Sequence, residues 1–509
     1  MGRTPWSAAG PLAGLPGSGK RLIFREESGS RGTRADQGVR PTIIPNRLSP
    51  HRNPRRAPES VPFVQPSSTP DGLLARAAEN PLVRGGLTVA AGILAGNLLG
   101  FARVALTAYL LGTHSQADSL AVALGPVDTL NGVLINSMLF AFVPALTAAQ
   151  GAARTALFRS LLRLFGWVFG LAVGAIVLSA PWIMRVLAPG LDAAHFSHAV
   201  VLLRILAFSS LAAGSSAACS ALLYTARRFG PSAYNQALLN LGTVACALLL
   251  WKELGVYAFA IGYTVGAWVQ LGIAYLAARQ QLAGGEAVPS PFRRREILAR
   301  PAFFVVYAVA LGLNMTFTRA WATHAGPGMA AAFDYCQRGV SVPLAFLVLP
   351  LSSSLLPEIA RLRSLERIRE ALRLIDRTVA LTALLAVGGC AFAIAFRSPA
   401  IRLLFQRGSF TGDSTRLVSG VFLGLAPSLI GWSLIEILAR SMFALERPWP
   451  PVLASAIPVL ANVCITLRLG LSHPQYLGVG ASAGVLIGCL ALFAMTHLTR
   501  RKTPRALTV

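Results

Sequence analysis

The sequence is poor in acidic residues and in charge altogether. It holds 20 Asp and Glu against 46 Lys and Arg, and charged residues make up only 13% of its 509 residues. Soluble domains have about a quarter of their residues charged, so this chain has too little charge to cover a soluble surface. Its six cysteines lie scattered in or beside apolar stretches without a CxxC motif, which indicates small buried residues.

Apolar residues, by contrast, are abundant. They make up 54% of the chain, and the mean hydropathy is +0.58. These values are typical of a protein whose solvent is the lipid bilayer. The formal net charge of +26 would ordinarily suggest a nucleic-acid partner, but nucleic-acid binders concentrate basic residues on a solvated domain. We therefore expect no nucleic-acid partner. Here the arginines lie between apolar segments, which favours contact with anionic lipid.

Residues 1–80 are rich in Gly, Pro, Ser and Arg and contain no long apolar run. This composition predicts a disordered basic N-terminal tail without a signal peptide. Within it, Gly14 to Lys20 fits the first seven positions of a P-loop. Arg21 stands where that motif requires Ser or Thr for the metal ion, and no strand or helix pattern flanks it. We therefore expect no nucleotide site there.

Apolar stretches long enough to cross the membrane recur from Leu87 to the end of the chain. A helix needs about 20 residues to cross a hydrocarbon core of about 30 Å. Helices are expected here because a helix satisfies its own backbone hydrogen bonds in lipid, whereas an open sheet would leave backbone groups unpaired at its edges. The predicted spans are Leu87–Gly112, Ser119–Val143, Leu164–Leu187, Val200–Tyr224, Tyr234–Trp251, Gly255–Ala278, Pro301–Trp321, Met329–Leu356, Thr378–Phe396, Leu417–Phe443, Pro450–Leu467 and Gly478–Leu498. The sequence thus predicts an all-α polytopic membrane protein of about twelve transmembrane helices.

The basic residues of the loops alternate with the predicted spans. The loops after even-numbered spans, together with the C-terminal end, carry 21 Lys and Arg, whereas the loops after odd-numbered spans carry seven. Because basic loops stay in the cytoplasm, both termini are predicted to be cytoplasmic in a multi-pass protein of the cytoplasmic (inner) membrane. The alternation also supports an even number of spans.

The chain repeats itself at an offset of a little over 210 residues. Arg185–Gly190 resembles Arg402–Gly408, and Tyr224–Pro231 resembles Phe443–Pro450. We therefore expect two six-helix repeats of the same orientation around a central cavity, with the substrate between the halves. The predicted segments are a tail (1–80), a first half (81–290), a second half (291–499) and a basic cytoplasmic tail (500–509).

Several ionisable residues fall at membrane depth, where charge is costly and normally faces a cavity or a partner. Arg103, Arg319 and Arg338 fall in the first, seventh and eighth spans. Asp118 immediately precedes the second span, and Asp128 lies within it. Arginine suits a diphosphate because its planar fork donates two hydrogen bonds at once. The alternative is that these arginines only pair with nearby aspartates, including one in the eighth span, or extend toward the interface. Further charged residues within spans are Arg204, Asp334, Glu436 and Arg440.

No pattern indicates catalysis, a cofactor or a bound metal. Asp192, His195 and His198 are spaced by three residues, but a short loop without a fourth ligand makes a poor metal site, and we expect a solvated loop. No nucleophile-and-base pattern occurs in a span. The sequence therefore predicts a transporter and not an enzyme.

Five segments resemble the MurJ/MviN lipid II flippases, which belong to the multidrug/oligosaccharidyl-lipid/polysaccharide exporter superfamily. The resemblance extends from Leu87 to Leu498, and the segments are Gly96–Arg103, Gly112–Asp118, Ala141–Pro144, Tyr335–Arg338 with Pro343, and Leu404–Thr411. It implies transport of a polyprenyl-diphosphate-linked peptidoglycan precursor to the outer leaflet, through a cationic cavity that holds the diphosphate.

The resemblance also implies roles for particular residues. Arg103, Asp118 and Arg338 match positions on which the family relies, and with Arg319 they form our candidate substrate-binding set. The chain departs from the family at other positions. Asn97 stands where the family usually has Arg, Asn131-Gly132 where it has an Arg pair, and Asn136-Ser137 where it has Glu-Gly. Gln337 stands where Asp is usual, and Glu436 where a basic residue is common. The chain also has twelve predicted spans, whereas the family typically has fourteen.

Three hypotheses compete at this point. The first is a lipid II flippase, and the second is a flippase for another lipid-linked oligosaccharide, such as an exopolysaccharide unit. The third is a transport-inactive membrane scaffold that recruits envelope-synthesis proteins through its basic tail. Arginines inside the membrane favour the first two, because a scaffold has no use for buried charge.

Overall fold

The computed structural model describes residues 81–282, 284–286, 302–470 and 473–501. The predicted tail, with its P-loop-like segment, lies outside the described residues, as does the chain after 501. The longer helices are α1 Pro81–Leu111, α2 Ser115–Ala148, α3 Gly151–Leu187, α4 Ala193–Thr225, α5 Asn235–Leu254, α6 Tyr257–Arg279, α7 Ala302–Ala322, α8 Met329–Pro343, α9 Leu349–Ser364, α10 Ile368–Phe405, α11 Gly412–Leu425, α12 Ser428–Ala444, α13 Trp449–Leu469 and α14 Pro474–Arg501. The predicted all-helical class is confirmed.

The described helices follow the predicted spans in order. Among the described residues, ten helical segments are long and apolar enough to cross a membrane, and α11 with α12, bent by 45°, makes an eleventh when the pair is counted as one span. Helix α2, with 34 residues, occupies the place of the second predicted span. The structure is therefore consistent with twelve membrane-spanning helices.

Besides the bent tenth span, three spans differ from a straight helix of the predicted length. Helices α3 and α10 begin about ten or more residues before their predicted spans, because both open with amphipathic, arginine-rich turns whose hydropathy is low. The eighth span contains a π-helical segment, Leu344–Val348, that joins α8 to α9 directly after Pro343. Proline removes a backbone donor and disturbs the helical ladder, so this break is a consequence of the sequence at Pro343.

The two halves, α1–α6 and α7–α14, use the same packing scheme. In the first half α1 packs on α5, α5 on α6, α6 on α4, and α4 on both α2 and α3. In the second half α7 packs on α13, α13 on α14, α14 on α11 and α12, and these two pack on α8, α9 and α10. The repeat that was expected from short sequence matches therefore appears as an equivalent set of helix pairs.

Small residues allow the helices to approach closely. A Cβ on Gly242 would lie 2.6 Å from the Cα of Gly266, so the backbones of α5 and α6 nearly touch at this point. Gly484 of α14 is placed similarly against the carbonyl of Pro458 in α13. Lipid supplies little hydrophobic drive between helices, and small residues compensate by allowing close van der Waals packing.

The Asp192 and His195 pair of the third loop acts as a helix cap. Asp192 accepts a hydrogen bond of 2.8 Å from the backbone amide of His195 at the start of α4, and the His195 ring also contacts it. The backbone hydrogen bond and then the ring hold the pKa of the exposed Asp192 carboxyl below its usual value. His198 contacts the Tyr257 hydroxyl instead. Among the described residues, no cluster of three or more side chains fits a metal ion.

Candidate substrate cavity

A cavity of about 170 Å³ lies between the two halves. Its wall is formed by α1, α2, α5 and α6 of the first half and by α7 and α8 of the second half. Seven ionisable or phenolic residues line it, namely Arg103, Asp128, Tyr263, Arg319, Asp334, Tyr335 and Arg338. The cavity thus holds formal charges of both signs at the interface of the repeats.

Arg319 forms an ion pair with Asp334. The Arg319 Nε atom lies 2.6 Å from Asp334 Oδ1, and the two side chains are 13% and 24% exposed. Gly125 makes room for this guanidinium, since a Cβ at that position would lie 3.2 Å from Arg319 Nη1. Of the arginines that were expected to face the cavity, Arg319 is therefore the one whose charge is compensated by a neighbour.

Arg103 and Asp128 meet at Tyr263. The Tyr263 hydroxyl donates a hydrogen bond of 2.6 Å to Asp128 Oδ1. The Arg103 guanidinium lies over the same ring, 5.8 Å from its centroid, which is a cation–π geometry. The phenol thus satisfies the carboxylate while its ring face supports the cation.

Arg338 lies against α1, on the opposite side of the cavity from its own half. A Cβ at Gly100 would lie 3.0 Å from Arg338 Nη2 and 3.1 Å from Asn240 Nδ2. Asn240 itself donates to the carbonyl of Gly96, at 3.1 Å. Gly100 therefore provides the space that lets this guanidinium reach the first half.

Arg103 and Arg338 are the two cavity arginines without an ion pair among the described residues. Within the described ranges, neither makes an ion pair with a carboxylate, whereas Arg319 does. One arginine comes from each half, and both line the same space. Two guanidinium groups that line one cavity fit an oxygen-rich dianion such as a diphosphate.

Asp118 is buried and does not line the cavity. Its side chain is within hydrogen-bond distance of two backbone amides at the start of α8, with Oδ2 2.5 Å from the nitrogen of Gly328 and Oδ1 2.8 Å from that of Ala331. It is 1% exposed. The carboxylate therefore caps a helix of the other half. It was grouped from sequence with Arg103, Arg319 and Arg338, but only those three line the cavity.

Further contacts join the halves at the loops after odd-numbered spans. We call them the interhalf seam. The seam comprises Asp118 with Gly328 and Ala331, Thr113 with Ser414, Tyr109 with Ser409, Gly112 with Tyr335, and Gly190 with Thr323. Phe101, Tyr335, Phe405 and Phe410 pack together beside it, with ring centroids 5.7 to 5.9 Å apart. The seam therefore separates the cavity from the odd-numbered loops.

Glycine is required where the seam brings backbones together. A Cβ at Gly112 would lie 2.3 Å from the carbonyl oxygen of Ser409, and one at Gly328 would lie 2.2 Å from that of Thr113. Both glycines also have positive φ, +58° and +83°, which other residues adopt only at a cost. The two halves thus meet backbone to backbone.

The remaining charged residues of the spans lie away from the cavity. Arg204 is exposed on α4 and donates to the carbonyl of Val177, and Glu436 pairs with Arg440 on α12. Sequence reasoning missed Tyr263, because an aromatic residue in an apolar helix carries no signal that separates a cavity wall from a packed core. Gln337, noted only as a departure from the family, lines the cavity and donates to Met315 Sδ at 3.1 Å.

Comparison with known proteins gives a consistent result. The family model described as lipid II flippase MurJ matches residues 107–508. A probable lipid II flippase MurJ of Rhizobium meliloti is 29% identical over 441 residues, which cover 81% of this chain and 80% of that protein. The lipid II flippase MurJ of Burkholderia cenocepacia is 26% identical and covers 81% and 83%.

Solved structures share the fold. A lipid II flippase MurJ in an inward closed conformation superimposes with a TM-score of 0.71 at 18% identity, covering 81% of this chain and 87% of that one. An inward-facing multidrug resistance MATE family transporter of the MOP superfamily superimposes with a TM-score of 0.65 at 11% identity, covering 80% and 96%. At these identities the likeness concerns the arrangement of helices alone.

Proposed function

The chain belongs to the lipid II flippase MurJ family, and we propose that it moves lipid II across the cytoplasmic membrane by alternating access around the cavity between its halves. The family match over residues 107–508 supports the reaction. The observation that carries the mechanism is the pair of cavity arginines without an ion pair among the described residues, Arg103 and Arg338, one from each half of the cavity.

Arg103 and Arg338 bind the diphosphate of the substrate in this proposal. A guanidinium remains protonated at any physiological pH and donates two parallel hydrogen bonds to phosphate oxygens. Because the two arginines belong to different halves, a bound diphosphate ties the halves together. Substrate binding is thereby linked to the movement of one half against the other.

The ion pair of Arg319 with Asp334 is neutral, whereas Asp128, which accepts a hydrogen bond from Tyr263, keeps its negative charge. With three arginines and two aspartates the wall has a formal net charge of +1, and Arg103 and Arg338 are the arginines of this wall without an ion pair among the described residues. Arg319 therefore takes a secondary part in binding, because its preferred partner is already present. A substrate phosphate would have to compete with Asp334 for the same nitrogen atoms.

The interhalf seam is the gate on the side of the odd-numbered loops, which the charge distribution assigns to the outside. In this arrangement both termini are cytoplasmic, and the head group enters the cavity from the cytoplasmic side. Release to the outer leaflet requires that Asp118 give up the two amides at the start of α8. Asp118 accordingly acts in gating rather than in direct contact with substrate.

Arg103 and Arg338 also weigh against a transport-inactive scaffold, since buried charge without a ligand is costly. The relatives named as lipid II flippases favour peptidoglycan precursor over another lipid-linked oligosaccharide. Anionic membrane lipid and envelope-synthesis proteins remain proposed partners. The predicted division into halves at residue 290 is likewise part of the proposal.

The test is complementation of a bacterial strain depleted of its own lipid II flippase, with the exposure of lipid II at the outer leaflet as the direct measurement. The native chain should restore both growth and exposure. Arg103→Ala and Arg338→Ala should each lower flipping by about tenfold or more, because each loses a charge-assisted contact of roughly 1.5 to 3 kcal/mol. Arg103→Lys should restore flipping only in part, since an ammonium lacks the planar fork.

Arg204→Ala is the matched control, because Arg204 lies within a span but is exposed and away from the cavity. It should flip normally. Native chain that is expressed at the membrane yet leaves lipid II unexposed would refute lipid II as the substrate. If neutralising Asp128 or Asp334 restores flipping to Arg103→Ala or Arg338→Ala, the arginines serve as structural partners and the diphosphate role is wrong.

A further inference from the structure

Basic residues are concentrated in one of the odd-numbered loops. These loops carry only seven Lys and Arg in total, and four of the seven, Arg397, Arg402, Arg407 and Arg416, fall between residues 397 and 416. On the orientation proposed above, these residues lie on the translocated side, where positive charge is usually sparse. The central cavity does not account for these four residues, because none of them lines it.

Three of these arginines line a second pocket. It has a volume of about 550 Å³ and lies where α10 ends and α11 begins. Polar side chains complete its wall. The polar residues around the pocket are Arg397, Ser398, Arg402, Gln406, Thr415, Arg416 and Ser419. We call it the outer basic pocket.

The charge of this pocket is only partly compensated. Arg416 pairs with Asp413 at 2.6 Å, but both side chains are 84% exposed, so the pair is weak and open to exchange. Arg397 donates to the backbone carbonyl of Ile394 at 2.7 Å. Within the described part of the chain, Arg402 makes no ion pair and is exposed. The pocket therefore keeps positive charge and free guanidinium donors for an anion.

An apolar surface leads up to the pocket. Phe392, Phe396 and Leu403 of α10 are 64%, 53% and 71% exposed. Their spacing of four and seven residues places them on one stripe of the helix. In a membrane-spanning helix, an exposed stripe of this kind faces acyl chains. A lipid lying along this stripe would have its head group at the level of the arginines that follow.

We propose that the outer basic pocket binds the phosphate of an anionic lipid head group of the outer leaflet, with the acyl chains against the apolar stripe of α10. The proposal concerns a second site and does not depend on which lipid the central cavity transports. The chemistry it requires is a phosphate ester that accepts hydrogen bonds from Arg397 and Arg402. A free phosphate ion offers the same oxygens but gains nothing from the apolar stripe.

The pocket is built on the loop that closes the interhalf seam. The segment between α10 and α11 supplies Ser409, whose amide donates to the carbonyl of Tyr109 at 2.8 Å. It is followed by Ser414, whose hydroxyl lies 2.7 Å from that of Thr113. Thr415, in the pocket wall, contacts the Gln406 side chain at 3.3 Å. A bound head group therefore holds the same loop that holds the two halves together.

The experiment uses the full chain in detergent and measures, by native mass spectrometry, the dissociation constant of the tightest-bound lipid. Dioleoylphosphatidylglycerol is the probe, dioleoylphosphatidylcholine is the zwitterionic comparison, and inorganic phosphate is added as a competitor. The variants are Arg397→Gln with Arg402→Gln, Arg402→Gln alone, and Arg402→Lys. Arg468→Gln is the control, because Arg468 is an exposed arginine that belongs to the odd-numbered loops but not to the pocket.

Phosphatidylglycerol should bind more tightly than phosphatidylcholine, and the double variant should weaken it by about tenfold or more. Arg402→Gln should show part of this loss, Arg402→Lys less of it, and Arg468→Gln none. Because Arg402 is exposed, its single variant tests the proposal even if the double variant fails to fold. Equal binding by native chain and variants, or an equal loss in Arg468→Gln, would overturn the site. Displacement of phosphatidylglycerol by an equal concentration of inorganic phosphate would show that the pocket takes free phosphate and no lipid.

Discussion

The Asp118 carboxylate lies 2.8 Å from the backbone nitrogen of Ala331, across the boundary between the two repeats and 213 residues along the chain. The same carboxylate also meets the amide of Gly328. A helix exposes unpaired amides at its N-terminus, and an acidic side chain is a favourable cap for them. The start of the eighth span is thus completed by a side chain of the second span. This interhalf cap can form only when the halves are closed on that side.

Removal of this cap should loosen the seam. Asp118→Ala leaves two buried amides without their acceptor, at a cost of about 1 to 3 kcal/mol to the closed state. A cysteine in place of Thr107, which lines the cavity, should then react faster with an impermeant maleimide added on the side of the odd-numbered loops. Asp192→Ala is the control, since Asp192 also caps a helix on that side but contacts only its own half. Equal labelling in both variants would show that Asp118 does not hold the gate.

Gly112→Ala should block closure of the seam. The added Cβ would lie 2.3 Å from the Ser409 carbonyl oxygen, which belongs to the backbone and cannot move aside as a flexible side chain would. We expect flipping to fall by at least tenfold while the protein still reaches the membrane. Gly255→Ala is a closely matched control, because Gly255 has a similar φ of +51° and also lies in an odd-numbered loop, but has no atom within 4 Å of the new Cβ. If Gly255→Ala is equally defective, backbone strain and not the interhalf contact explains the loss.

The ion pair of Arg319 with Asp334 should show strong coupling. Either single alanine variant leaves one charge without its partner in a largely buried position. We expect each single variant to lose about 1 to 3 kcal/mol of stability, and the double variant to recover much of this loss. The melting temperature of the purified protein measures the effect. Additive losses in the double variant would mean that the two side chains are not coupled in the membrane.

The topology can be tested with single cysteines in a background without the six native ones. Cysteines at Gly230 and Ser364, in loops after even-numbered spans, should be labelled only from the cytoplasm. Cysteines at Ser197 and Gly326, on the opposite side, should be labelled only from outside. The reason is the bias of 21 to seven basic residues between the two sets of loops. Labelling of position 197 from the inside alone would refute the assigned orientation.

The sequence by itself determined the class of the protein, the order of its spans and the candidate cations. Hydropathy and length give the twelve spans, because a helix in lipid needs about 20 apolar residues whatever its neighbours are. The same reasoning identifies Arg103, Arg319 and Arg338, since a charge inside a span stands out against its apolar surroundings. The family resemblance was carried by local segments such as Leu404–Thr411, and the comparison over residues 107–508 confirmed it.

Only the tertiary structure decided what these residues contact. Whether Arg319 or Arg338 obtains a carboxylate depends on how α7 and α8 are rotated and placed, and the sequence pattern of a single span does not fix this. The same holds for Asp118, whose partners at Gly328 and Ala331 lie more than 200 residues away in sequence. The bend between α11 and α12 and the pocket beside it arise from packing between segments. Local composition sets which helices form, whereas the contacts between distant helices set which charges are paired and which are left for a ligand.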